Sequence, residues 1–87
     1  MEQYKLSFQL YLGGFAKALR DRNGISQEKM AELLRINVRS YADLEHKRYC
    51  FSTPTFIFLL LLLPDEELLR MVGDFHRLVK EIDHETM

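Results

Sequence analysis

The side chains able to carry reactive chemistry are few. There is one cysteine, Cys50, and three histidines, at 46, 76 and 84. His76 and His84 stand eight apart and share a helix face only loosely, with no partner ligands at metal-binding spacing. No histidine–acid arrangement is specified around Cys50, so its thiol reads as inert. A single cysteine also excludes an intramolecular disulfide and any multi-cysteine zinc cluster. The 87 residues hold no glycine-rich phosphate loop, paired catalytic carboxylates or nucleophile motif. An enzyme is not expected, nor a metal or a cofactor. What remains is binding chemistry, and the distribution of charge bears on its kind.

Charge is divided along the chain. Residues 1–55 carry nine Lys/Arg and six Asp/Glu, a net +3, while residues 56–87 carry three and seven, a net −4. Such asymmetry suits a polyanion-facing half and a second half with other work. Ordinary scatter in a short chain is the plain alternative. With 47% hydrophobic residues the length suffices for one domain, residues 1–87, around one small core. The longest apolar run, Phe56 to Leu63, is too short to span a bilayer. The N-terminus lacks the layout of a signal peptide. A soluble, cytoplasmic protein without membrane contact is expected.

Helical periodicity positions the candidate residues. Phe8, Tyr11, Leu12, Phe15, Ala16 and Leu19 predict a first helix from about Ser7 to Asn23. Gly13-Gly14 interrupts it, so a start after the pair is a second reading. The alternation of Tyr4, Leu6, Phe8 and Leu10 allows a third, a short strand. Asn23-Gly24 stops the helix. Ser26 caps a second helix over Gln27 to Arg35, and Asn37 a third from Val38 to about His46. Ser52 or Thr53 caps a fourth with Pro54 near its first position, and Pro64 ends it. A fifth runs from Asp65 to about His84, its acidic first turn matched to the helix dipole.

Residues 25–45 thus form two short helices around a tight break, the helix-turn-helix arrangement, whose second helix lies in the major groove of DNA. Ala31 supplies the small residue needed where the helices cross. Ile36 can point inward from the turn, and Tyr41 and Leu44 anchor the second helix on the core. Its opposite face, Val38, Arg39, Ala42 and Asp43, is then free to meet a groove.

The run from Ser26 through Leu34, with the turn after it and Leu44-Glu45 beyond, resembles the helix-turn-helix domain of the Cro/phage-repressor (XRE) family. The resemblance covers about residues 12–63 and implies an all-α, five-helix, lambda-repressor-like DNA-binding domain. It further implies an ion pair between Arg20 and Glu45, and backbone contact at Ser26 and Gln27. Residues Asn37, Val38, Arg39, Ser40 and Asp43 would read base edges or nearby phosphates. His46, Lys47 and Arg48 would lie by the phosphates of the following loop. Arg35 and Lys47 stand where the family has glycine, and Phe51 where it has proline.

The fourth helix is apolar all round. Phe56, Leu59, Leu60 and Leu63 face the core, which leaves Ile57, Phe58, Leu61 and Leu62 needing cover. Leu68, Met71, Val72, Phe75, Leu78, Val79 and Ile82 form a stripe on the last helix resembling a coiled-coil seam. A homodimer interface through Ile57, Phe58, Leu61, Leu62, Met71, Phe75, Leu78 and Ile82 is expected, with residues 65–84 as its main element. Folding of the last helix over the fourth within a monomer is the alternative. The sequence thus points to a dimeric transcriptional regulator, acting as a repressor on a palindromic operator. A protein-interaction module or antitoxin, using the apolar helix 56–63 toward a partner the sequence does not name, is the rival.

Overall fold

The computed structural model describes residues 2–86. Its helices are α1 (Glu2–Arg22), α2 (Gln27–Leu34), α3 (Val38–Glu45), α4 (Thr53–Leu61) and α5 (Asp65–Thr86), with no strand among the described residues. Three interior caps follow from local chemistry. Ser26, Asn37 and Ser52 each hold extended backbone and accept the amide N–H three residues on, at Lys29, Ser40 and Thr55. Pro54 sits in the first turn of α4, where its missing N–H costs nothing.

The core gathers one face of every helix. Leu12, Ala16 and Leu19 of α1 meet Met30, Ala31 and Leu34 of α2, Tyr41 of α3, Leu59 and Leu63 around α4, and Met71 of α5. Ile36 packs inward from the turn against this cluster.

The first helix corrects the sequence reading. It begins at Glu2, the strand reading of residues 4–10 is overturned, and Gly13-Gly14 lies inside it. The reason is tertiary. A Cβ added at Gly13 would stand 2.7 Å from the Leu44 carbonyl oxygen and 2.7 Å from Lys47 Cγ. Only a residue without a side chain lets α1 meet the end of α3 this closely, and the contact outweighs a propensity cost of about 1 kcal/mol. At Gly14 the nearest atoms are Lys47 Cε and Nζ, at 3.8 and 3.9 Å, an ordinary contact. Gly14→Ala should therefore raise stability by up to about 1 kcal/mol. Gly13→Ala should lower it by about 1–3 kcal/mol. Urea denaturation separates the two, and equal effects would contradict the close approach.

α5 runs antiparallel to α1 along nearly its whole length. Tyr4 pairs with Asp83, Tyr11 Oη with Asp74 at 2.6 Å, and Arg22 with Glu67. Phe75 stands edge-on to Phe8 and Tyr11, with ring centres at 5.6 and 5.4 Å, and reaches Phe56 of α4 at 6.3 Å. The apolar stripe of α5 is thus turned chiefly to α1. Two residues expected at a dimer interface are corrected by this placement. Met71 and Ile82 are buried within the chain itself, so neither offers a surface to a second copy. Phe58, Leu62, Phe75 and Leu78 are half-buried. Ile57 and Leu61 on α4 are exposed, as are Leu69 and Val72 on α5.

Candidate nucleic-acid interface

The turn between α2 and α3 sets where α3 points. Arg35 closes α2 in the left-handed region, φ 61°, ψ 40°. Its N–H reaches the Glu32 carbonyl at 3.1 Å, and the Ile36 N–H reaches Ala31 at 3.0 Å. An arginine there costs about 1–2 kcal/mol relative to the conformation it prefers, yet the geometry of a glycine turn is kept. Its guanidinium lies 4.1 Å from the centre of the Phe58 ring, a cation–π contact that partly covers α4.

Beneath α3 lies a charged network. Arg20 Nε donates to Glu45 Oε2 at 2.8 Å, and a second guanidinium N–H donates to Oε1 at 2.9 Å, a bidentate pair. The remaining arm donates to the Ile25 carbonyl at 3.1 Å. Gln27 Nε2 adds a third donor to Glu45 at 3.1 Å. Burial alone would push the Glu45 carboxyl up; the hydrogen bonds from Arg20 and Gln27, with the Tyr41 hydroxyl beside them, outweigh it and hold the pKa at about 2. Tyr41 Oη is fully buried and, among the described residues, has no partner of normal hydrogen-bond geometry. Its ionisation is pushed well above the phenol range, by burial first and then by Glu45. These bonds tie the end of α1, the start of α2 and the end of α3 into one unit.

The outward face of α3 stands on that unit. Val38, Arg39 and Ser40 are exposed, while Ala42 and Asp43 are half-buried beside them. The inner face, Tyr41, Leu44 and Glu45, is buried. His46, Lys47 and Arg48 follow at the helix end, all exposed. Lys47 is again left-handed, φ 65°, and closes α3 as Arg35 closes α2. Its N–H reaches Leu44 at 3.0 Å and the Arg48 N–H reaches Asp43 at 2.9 Å. The Lys47 side chain then lies across Gly13 and Gly14.

Several candidate residues have work within the fold. The Ser26 and Asn37 side-chain oxygens cap α2 and α3. The Gln27 amide is turned to Glu45. Asp43 receives the Arg48 guanidinium at 3.2 Å, which offsets a carboxylate that would otherwise repel a phosphate. Arg39 extends from the exposed face beside them. One contributor has no signal in the sequence: Gln9 of α1 donates to the Lys47 carbonyl at 2.9 Å, across 38 residues of chain. The Cys50 thiol donates in turn to Gln9 Oε1 at 3.2 Å. No metal-binding cluster of His, Cys, Asp and Glu occurs among the described residues. Among them, too, no helix is long and apolar enough to cross a membrane.

Five helices with α2, its tight turn and an outward-facing α3 define a lambda-repressor-like, helix-turn-helix DNA-binding fold. A family model described as helix-turn-helix matches residues 17–64, more than half of the chain. The chain belongs to this Cro/phage-repressor (XRE) type of helix-turn-helix protein, a family of DNA-binding regulators and not of enzymes. Neither the curated proteins nor the solved structures contain a match.

Proposed function

We propose that the protein is a homodimeric, sequence-specific repressor that works in the cytoplasm and places α3 in the major groove of a palindromic operator. The observation that carries this reading is the division of α3. Its inner side is locked to the core by Tyr41, Leu44 and the Arg20–Glu45 pair, and its outer side presents Val38, Arg39 and Ser40. A helix held this rigidly can meet base edges without first being ordered, which lowers the cost of binding. In this reading Arg39 reads a base edge, with Ser40, Val38 and Asn37 beside it. Lys47, Arg48 and His46 lie along the phosphates, and the Ser26–Gln27 start of α2 faces the backbone.

One α3 of eight residues makes few contacts, so a second copy supplies affinity and doubles the site read. Ile57 and Leu61 of α4, with Leu69 and Val72 of α5, are the exposed apolar side chains for that contact. Leu61→Glu places a charge on a residue 74% exposed and should leave folding intact. Light scattering is expected to show a dimer for the parent and a monomer for the variant. Duplexes selected from a random pool by the parent should be palindromes with half-sites one turn, about 34 Å, apart. A parent that stays monomeric and selects no sequence would favour the second reading, a protein-interaction module. The 74% exposure of both Leu61 and Leu69 is the observation behind that rival.

A further inference from the structure

A cleft of about 400 Å³ opens between α1, the start of α4 and α5. Phe8 of α1, Phe51 and Phe56 around the start of α4, and Phe75 of α5 form its walls. Its volume and apolar lining are those of a small-molecule site. The walls brace one another: Phe75 stands edge-on to Phe8 at 5.6 Å and tilts against Phe56 at 6.3 Å. Among the described lining residues a single one, Lys5, is charged.

We propose that this cleft binds a small amphipathic carboxylate, its apolar tail among the four phenylalanines and its carboxylate toward Lys5. A neutral tail alone would use the walls and leave the ammonium idle. An amine would meet a like charge. Gln9 is one side chain that joins the cleft to the α3 end, and Cys50 and Phe51 line the cleft from the loop that follows α3. Gln9 lines the cleft, donates to the Lys47 carbonyl at 2.9 Å and accepts from the Cys50 thiol at 3.2 Å. A ligand that displaces the Gln9 amide therefore alters the support of Lys47 and Arg48. The regulatory meaning of that link rests on the DNA-binding reading above, whereas occupancy of the cleft does not.

The test is an amide NMR titration of the DNA-free protein with octanoate, and separately with neutral octanol. Octanoate should give saturable shifts at Phe8, Leu12 and Cys50 that extend to Lys47 and Arg48. Lys5→Glu should weaken octanoate by at least about tenfold and leave octanol within about twofold. Equal binding of octanoate by the parent and the variant would overturn the carboxylate assignment. Shifts confined to the cleft would overturn the link through Gln9. Cleft signals that ignore octanoate but move with protein concentration would mark a contact between copies and overturn the site itself. Because no DNA is present, failure here leaves the DNA-binding reading standing, and failure of that reading leaves this one measurable.

Discussion

Arg20→Ala is expected to cost about 3–5 kcal/mol of stability, the range found when one partner of a buried ion pair is removed. The Glu45 side chain is 3% exposed, and without the guanidinium it keeps Gln27 as its remaining donor. The Ile25 carbonyl is deprived of the guanidinium at the same time. Glu45→Ala should cost less, because Arg20 is 17% exposed and recovers some hydration. Replacing both by apolar residues, Arg20→Met with Glu45→Leu, should cost less than Arg20→Ala alone, since no charge is left buried. Urea denaturation of the three variants gives the ordering. A loss below about 1 kcal/mol in Arg20→Ala would show that the pair does not hold the three helix ends together.

The same pair sets an acid dependence. The folded pKa of Glu45 lies at about 2, below its ordinary 4.5, so between these values the unfolded chain binds more protons than the folded one. The stabilisation, on the order of 3 kcal/mol, is fully present above about pH 4.5 and lost as pH falls through 2. In Glu45→Gln that part of the acid sensitivity should vanish. A parent and variant with parallel stability–pH curves between 5 and 2 would contradict the assignment.

The second large effect belongs to the outer face of α3. Arg39→Ala should weaken binding to the selected duplex by about 1–3 kcal/mol per half-site and relax preference at one base pair in each. Its effect on random duplexes should be smaller. Lys47→Ala with Arg48→Ala should instead weaken binding to every sequence and flatten its salt dependence, by roughly 0.9 in slope for each phosphate that is no longer neutralised. Asp43 gives a sign test. Since it holds Arg48 at 3.2 Å, Asp43→Asn releases a cation and removes an anion, and should strengthen non-specific binding. Anisotropy titrations on selected and random duplexes distinguish these patterns, and a uniform response to Arg39→Ala and to the double variant would contradict the division of roles.

Much of the fold is legible in the sequence because its signals are local. Ser26, Asn37 and Ser52 announce helix starts through a side-chain oxygen placed before an apolar-periodic run, and Ile36 and Ala31 meet steric demands of the turn. The length of α1 is not legible. Its glycine pair reads as an interruption until the Leu44 carbonyl is known to lie 2.7 Å from where a Gly13 Cβ would stand. The α5 stripe tells which side chains face inward but not what they face, so Met71 and Ile82 read as facing a second copy when their cover lies within the chain. Gln9 and Cys50 carry no pattern at all, because their bonds join residues about forty positions apart. At Gln27 the family resemblance implies a phosphate contact. The hydrogen bond to Glu45 depends on the end of α3 arriving beside it, which no spacing reveals.

The exposed side of α3 and the Lys47–Arg48 loop are proposed as one surface for double-stranded DNA. Fluorescence-anisotropy titration with a random duplex pool at low and moderate salt tests it most directly. We expect measurable binding at low salt whose affinity falls steeply as salt rises, with a shallower fall in Lys47→Ala/Arg48→Ala. A folded protein that ignores the duplex at low salt, or binds with no salt dependence, would rule out this surface as a DNA interface.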